Sequence, residues 1–308
     1  MKLFLLLTLT LNSTVAFGWG EQGHRVIGMI AEQRLRSNAS MDQKLTELLG
    51  PNVHLGGLAL CADDIRAFVR AVNKGEDGIF PSGCFLTREE ILTQFKTTDN
   101  WHFINLPLAA NGANIAHTTE VLNDACDAKP LCVVNRIRFF QQQLSDTGLP
   151  SQTRRVALMF LAHLVGDVHQ PLHSTARAAD AGGNNVVVKF FNQVQKLHQV
   201  WDSSILSHIN TLTNSGPLSD SELVTVLTAN PAAVPNTGFD PQAWAFESFD
   251  AARRTVYKGV PNMQNNQANP INLKNTNYQA AGAKVVQSRL FAASVRLADV
   301  IAAALDVQ

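Results

Sequence analysis

The amino-acid sequence predicts an all-α fold: a single, mainly helical domain with one small β-hairpin. Three observations point there. Apolar residues recur at helical spacing through most of the long segments. The closing stretch, Asn275 to Leu305, is long, periodic and rich in alanine, the strongest helix former. β-Branched residues concentrate in one short run, Val186 to Phe191, directly after Gly182-Gly183-Asn184-Asn185, which supplies the turn chemistry of a hairpin. No internal repeat and no linker divides the 308 residues, so one domain is expected over residues 19–308.

The elements follow in chain order. Residues 1–18 read as a secretory signal peptide. Lys2 gives a positive start, Leu3 to Leu11 is apolar except for Thr8 and Thr10, and Ala16-Phe17-Gly18 is a small-x-small cleavage signal. The apolar run is too short to span a bilayer. Cleavage after Gly18 leaves Trp19 as the first residue of a secreted or periplasmic protein with no membrane anchor. Glu21 to Leu35 forms a helix on the spacing of Val26, Ile27, Ile30 and Ala31. Met41 to Leu49 forms a second helix, stopped by Gly50-Pro51, and Ala62 to Val72 a third, ending before Gly75. Gln152 to His169 is the most apolar helix, and Pro171 ends it. Thr211 to Pro241, rich in Ser, Thr, Asn and Pro, reads as loop, as does Pro261 to Asn275.

Composition limits the function classes. Charged residues make up 16% of the chain, too few for a disordered protein carrying 45% hydrophobic residues. Lys plus Arg and Asp plus Glu number 25 each, so no long-range basic field exists to grip duplex DNA by phosphate neutralisation alone. Any attraction for nucleic acid must be local. The four cysteines, Cys61, Cys84, Cys126 and Cys132, form an even set in an exported chain and allow three pairings. Proximity in sequence favours Cys61–Cys84 and Cys126–Cys132. No Cys-x-x-Cys is present, which argues against a thiolate zinc site.

Histidine and aspartate carry the chemistry. His163 and Asp167 lie four apart on a predicted helix, so both project from one face, and His198 and Asp202 repeat the spacing. Imidazole with carboxylate suits zinc or a similar borderline metal. One such pair is weak evidence, because most serve as hydrogen-bond partners. Two pairs in an exported chain of nine histidines are considerably stronger. His173 follows His163 by ten residues, about 15 Å along a continuous helix. Cooperating metals sit roughly 3.5–4 Å apart, so His173 either serves another metal or needs the bend that Pro171 supplies. Asp167, a charge within a core helix, needs a strong partner, and a metal ion is one.

These residues stand in a pattern that resembles the zinc-dependent single-strand-specific nucleases of fungi, plants and bacteria, the S-one/P-one family. The matching segments are Trp19-Gly20-Glu21-Gln22-Gly23-His24, Ala62-Asp63 with Arg66, Trp101-His102-Phe103-Ile104, the run from His163 through Asp167 to His173, Gly182-Gly183-Asn184, Leu197-His198 with Trp201-Asp202, and Arg296-Leu297-Ala298. They occur in the family's order and cover nearly all of the chain after residue 18. The resemblance implies three Zn2+ in a trinuclear cleft. Asp63, His102, His163 and Asp167 would hold the first ion. The amine and carbonyl of Trp19, with His24 and Asp167, would hold its close partner, and Asp167 would bridge the two. His173, His198 and Asp202 would hold the third. Asp63, Asp167 and His163 are then the residues nearest the chemistry, and the substrate is single-stranded DNA or RNA cut to 5′-phosphates, with 3′-nucleotidase activity at the same centre. No stable protein partner is implied.

The chain departs from the family's pattern at three places. Cys61 stands where Trp is usual, Asn105 where many members have Asp, and Ser203-Ser204 where many have a base-contacting Asn. Away from the motifs, His54, His117 and His208 are expected to be structural or surface residues, and His169 a hydrogen-bond donor behind the ligands. Arg66 is expected to pair with a ligand carboxylate or to lie on an ordinary helix face. Trp101 and Trp201 are expected as core anchors, and Phe80 and Phe85 as lining of a substrate pocket. Two rival functions accompany this reading. A zinc phospholipase C resembles the family in fold but tends to end its last motif in Glu, where this chain has Asp202. A metal-storing protein would show no turnover.

Overall fold

The computed structural model describes residues 19–127, 131–209, 216–229, 231–236, 238–273 and 275–306; the expected leader over residues 1–18 lies outside them. Helix α8 (Ser151–His169) is the axis of the molecule. Every side chain from Val156 to His169 is buried, as expected for a helix apolar on all sides. It packs against α7 (Val133–Ser145), α13 (Asn275–Leu305), α12 (Pro241–Ala251) and α1 (Gly20–Arg36). The α7 contact is an aromatic stack in which Phe140 lies parallel to Phe160 at 4.7 Å, with Trp101 tilted against both.

Local chemistry sets the other boundaries. Asn38 accepts the Met41 N–H to start α2 (Ala39–Leu49), and Gly50, at φ 93°, stops it. The one-turn α3 (Leu55–Leu58) leads into α4 (Cys61–Asn73). It fits closely on α1 because Gly28 has no side chain; a Cβ there would lie 2.5 Å from the Leu55 carbonyl oxygen. A reciprocal box between Thr87 and Glu90 opens α5 (Arg88–Gln94). α6 (Thr119–Asp127) precedes α7. The disulfides Cys61–Cys84 and Cys126–Cys132 tie neighbouring segments in the expected pairing.

The expected hairpin forms between β3 (Val187–Phe190) and β4 (Gln193–Lys196), with Val187 opposite Lys196. The chain continues through α9 (Leu197–Gln199), a π-helical turn over Val200–Ser204 and α10 (Ile205–Ser207). The sequence reading needs three corrections. The Pro261 to Asn275 stretch contributes β5 (Ile271–Asn272), which pairs parallel to β3. A further parallel pair joins β1 (Leu106–Leu108) to β2 (Thr175–Arg177), a contact between distant segments that no local pattern announces. The Thr211 to Pro241 stretch is not all loop, because α11 (Asp220–Ala229) lies in it and buries Leu223, Val224 and Leu227 near α1 and α13. The helix start was present in the sequence: Ser219 and Glu222 bond each other's backbone N–H in a capping box. No helix among the described residues is long and apolar enough to cross a membrane.

Candidate metal centre

The C-terminal half of α8 brings the first ligands together. His163 and Asp167, one turn apart, are fully buried, and His163 Nε2 lies 3.0 Å from Asp167 Oδ2. His102, from the turn before β1, places Nδ1 2.9 Å from the same oxygen. The other Asp167 oxygen, Oδ1, lies 3.5 Å from Nε2 of His24 on α1 and 3.2 Å from Nδ1 of His173. Asp167 thus presents its two oxygens to two different sets of donors. Asp63 Oδ1, on the first turn of α4, lies 3.6 Å from His102 and 3.7 Å from His163 and is held by Arg66 at 2.6 Å. The expectation that Arg66 pairs with a carboxylate is met, and Asp63 rather than Asp64 is the buried member of the pair.

Pro171 ends α8 and a short 3-10 turn, Pro171–His173, carries His173 aside, as the spacing argument required. His173 Nε2 there meets His198 Nε2 at 3.2 Å, and His198 Nε2 is 3.5 Å from Asp202 Oδ2. Three groups of side chains have ligand atoms close enough to hold ions: His24 with Asp63 and His163, His102 with His163 and Asp167, and His173 with His198 and Asp202. All eight side-chain candidates read from the sequence therefore converge. Trp19, the ninth candidate, is wholly buried beside them, its indole Nε1 donating to the Gly166 carbonyl at 2.9 Å.

Backbone carbonyls fix the imidazoles. The Nδ1–H of His163 donates to Ala59 O at 2.7 Å, that of His173 to His102 O at 2.7 Å, and that of His198 to Gly182 O at 2.6 Å. In each ring this turns Nε2 towards the cluster. The glycines of the motifs make the approach possible. A Cβ on Gly182, at φ 62°, would stand 2.6 Å from Leu172 O, and one on Gly166 would stand 2.9 Å from His24 Nδ1. Gln170, fully buried, donates from Nε2 to Asp202 Oδ1 at 2.5 Å. The sequence reading did not include Gln170 or these carbonyls, although Gln170 lies inside the most diagnostic run.

The electrostatics are those of a site built for cations. Burial disfavours charge on every member, yet Asp167 and then Asp63 overcome it at His163 and lift its pKa to about 9. Burial, aided by Arg66, brings His102 down to about 4, and burial with His173 brings His198 down to about 3. Asp167 stays well below the ordinary carboxylate range because His163 and His173 outweigh its desolvation. Burial raises Asp202 well above that range. Both ring nitrogens of His24, Nε2 of His102, Oδ1 of Asp167 and Oδ2 of Asp202 are buried without a hydrogen bond. Orphans of this kind are rare in native proteins, and metal coordination would satisfy His24 Nε2, Asp167 Oδ1 and Asp202 Oδ2, the ones that face the other candidate donors.

Several expectations away from the ligands are settled too. His169 is no donor behind the cluster. Its Nδ1–H bonds Val165 O within α8, and its Nε2 accepts from Arg296, so it serves helix packing. His54 pairs with Glu32, His117 stacks on Phe246 and His208 stacks on Phe191, while Trp101 and Trp201 are buried anchors. Beside α4 a cavity of about 810 Å3 is lined by Phe68, Ile79 and Phe80 among others. Phe80 is in that lining. Phe85 is not, because its segment packs against α8, where its carbonyl accepts from Gln152.

Comparison with known proteins agrees with this geometry. The sequence pattern of the family described as S1/P1 Nuclease matches residues 19–306. The chain is 27% identical to Endonuclease 5 of Arabidopsis thaliana over 321 aligned residues, covering 97% of this chain and 95% of that protein. It is 26% identical to Nuclease S1 of Aspergillus oryzae over 197 residues, 62% of this chain and 55% of that one. With Nuclease P1 of Penicillium citrinum it shares 37% over 91 residues, 30% of this chain and 32% of the other.

Proposed function

The chain belongs to the S1/P1 nuclease family, and from that premise we propose that it is an exported zinc endonuclease that hydrolyses single-stranded DNA and RNA to 5′-phosphates, with 3′-nucleotidase activity at the same centre. The observation that carries this reading is Asp167: fully buried, ionised, and offering one oxygen to His102 and His163 and the other towards His24 and His173. Such a carboxylate is destabilising unless cations share it.

The donors suit zinc, since they are imidazoles, His102 presenting Nδ1 and His24, His163 and His198 Nε2, together with carboxylates and no thiolate. Asp63, His102, His163 and Asp167 would hold one ion, His24 with Asp167 and the N-terminal amine and carbonyl of Trp19 a second, and His173, His198 and Asp202 a third. Zinc at these positions would polarise phosphate oxygens and make water a nucleophile at neutral pH. The protein's own part is to hold charge and shape. Arg66 keeps Asp63 ionised and aimed, Gln170 aims Asp202, and the three carbonyls prevent the imidazoles from turning. Single-strand preference would come from an unpaired base stacking on an aromatic wall, for which Phe80, 40% exposed in the cavity beside α4, is available. Charge supplied by the metals removes the need for a basic surface, in keeping with the balanced composition.

The test uses protein beginning at Trp19. Elemental analysis is expected to find about three zinc ions per chain. Denatured DNA should be converted to acid-soluble 5′-nucleotides, with activity lost to chelator and restored by zinc, and lecithin should release no choline phosphate. Asp167→Asn should lose both zinc and turnover. Active protein with one zinc or fewer, or an Asp167→Asn variant with near-normal turnover, would refute the assignment.

A further inference from the structure

The balanced charge of this chain conceals a local imbalance. Several arginines sit over aromatic rings, and among the described residues Arg88, Arg136 and Arg155 do so without an ion pair. The Arg88 guanidinium lies 4.9 Å from the Phe68 ring, that of Arg155 lies 6.0 Å from Phe85, and that of Arg136 lies 3.9 Å from Phe139 and 4.5 Å from Trp101. Arg136 is the extreme case. Its Nε is buried with no hydrogen bond, and burial without an opposing carboxylate brings its pKa down to about 10. A cation held this way has its charge only partly offset by the ring faces, and an anion arriving beside it would complete the compensation.

Two cavities border these pairs: one beside α4 touches Phe68, and another touches Arg136, Trp101 and Phe139. Phe68 lines the cavity beside α4, the helix that carries Asp63. Ser82, Gly83 and Cys84 line the far wall of that cavity. Two residues on, Leu86 lines a second pocket of about 350 Å3, whose other walls include Phe95, Trp101, Arg136 and Phe139. Phe85, which lies between Cys84 and Leu86 in sequence, has φ 57°, a conformation that a bulky residue rarely adopts and that clusters at functional sites. Phe139 is 41% exposed at the second pocket, an open aromatic face beside an uncompensated cation. One carboxylate, Glu90, also lines this pocket, but it is engaged by the Thr87 N–H and hydroxyl in the α5 cap. The distance suits a polymer. Val156 in the second pocket and His163 in the metal centre are seven residues apart on α8, about 10 Å along its axis.

Aromatic faces interleaved with cations along a path are the chemistry that holds single-stranded nucleic acid without reading its sequence. We propose that the second pocket is part of a track for nucleotides flanking the scissile phosphate, with Phe139 stacking a base and Arg136 holding the adjoining phosphate a few nucleotides away. The proposal rests on the nuclease reading for the identity of the polymer. It gives the protein a preference for longer strands that the metal centre alone does not supply.

The experiment separates the track from the catalysis. Binding of a non-hydrolysable phosphorothioate twelve-mer of thymidylate is measured by fluorescence anisotropy for the zinc-loaded wild type, Arg136→Gln, Arg136→Lys and Phe139→Ala. The ratio of kcat/KM for a DNA twelve-mer to that for a dinucleotide is measured on the same proteins. Arg136→Gln and Phe139→Ala should each weaken twelve-mer binding about tenfold and lower the ratio to match, through KM. Arg136→Lys should keep part of the affinity. The slope of log affinity against log salt should fall by about 0.7 in Arg136→Gln, as for one lost phosphate contact on a single strand, and remain unchanged in Phe139→Ala. Wild-type affinity in both variants, or an equal loss on twelve-mer and dinucleotide, would overturn the track. Dinucleotide turnover by the wild type tests the nuclease reading separately, and twelve-mer binding that depends on Arg136 in a protein without turnover would keep the track while rejecting that reading.

Discussion

At the scale of single residues, the convergence of the candidate ligands was legible and their supports were not. The two His-x-x-x-Asp pairs and the offset of His173 follow from helix geometry, so spacing alone separates them into two groups. The supports are backbone atoms of residues far away in sequence, such as Ala59 O for His163 and Gly182 O for His198, and nothing local marks a carbonyl as a hydrogen-bond acceptor. His169 shows the reverse error. Its place in the diagnostic run suggested the metal centre, yet burial and the neighbouring Arg289 and Arg296 keep it neutral and committed to packing. Gly182 gives a direct test of the carbonyl supports. At φ 62°, with Leu172 O only 2.6 Å from any Cβ, it allows its own carbonyl to approach His198. Gly182→Ala is expected to cost about 2 kcal/mol of stability and, because His198 loses its orientation, to lower zinc content by about one ion while the other two remain. Inductively coupled plasma analysis of the purified variant measures this, and full zinc content would show that the carbonyl does not position the ring.

At the scale of elements, the helices that were read lie within a residue or two of their expected bounds, while α7 and α12 were not read. α13 was expected over Asn275 to Leu305 and occupies those residues, and α8 begins one residue before its expected start. Short helices in polar surroundings were missed. α11 buries only three side chains, and its composition resembles loop except for the Ser219–Glu222 box. The tie between α12 and α13 was also invisible, because it joins residues more than forty apart. Glu247 on α12 accepts from Arg289 at 2.6 Å and from Arg296 at 2.7 Å, and Arg289 also bonds His169 O at the end of α8. Burial would raise the Glu247 pKa, but the two arginines outweigh it and hold it below the usual value of 4.5. A carboxyl with a depressed folded pKa contributes stability that is fully present above the unfolded value and is lost as pH falls through the folded one. Glu247→Gln leaves two buried guanidinium groups without their anion and is expected to cost about 3 kcal/mol near neutral pH. The difference in melting temperature between wild type and variant should hold steady above about pH 5 and narrow below about pH 4. A difference independent of pH would mean that Glu247 acts through packing alone.

At the scale of the whole molecule, the centre draws on more than half of the chain, from His24 to Asp202, around one buried helix. The beginning of that span is where the proposed assignment is most exposed to test. Trp19 is fully buried, its indole is fixed to Gly166, and Gly166 immediately precedes Asp167. Gly20, at φ 60°, turns the chain at this point, and a Cβ on Gly23 would stand 2.5 Å from Trp19 Cβ, so both glycines of the segment serve to fold Trp19 back over α1. Of the side chains assigned to the second zinc, only His24 and the shared Asp167 are near, which is fewer than the usual three or four protein ligands. The terminal amine and carbonyl of Trp19 would supply the remainder. A free amine has a pKa of roughly 8, so zinc can displace its proton near neutral pH, whereas an amide nitrogen holds its proton far too tightly to ligate in this way. Protein extended by an uncleavable Gly18 should therefore fold, because Trp19 is one side chain of an extensive apolar core around α8, α7 and α13. It should nonetheless lose about one zinc ion and nearly all of its nuclease rate. Side-by-side circular dichroism, elemental analysis and turnover of denatured DNA by the two forms measure all three quantities. Equal zinc content and equal rates would show that the N-terminus takes no part in the centre, and the donors missing from the second site would then have to come from another part of the chain.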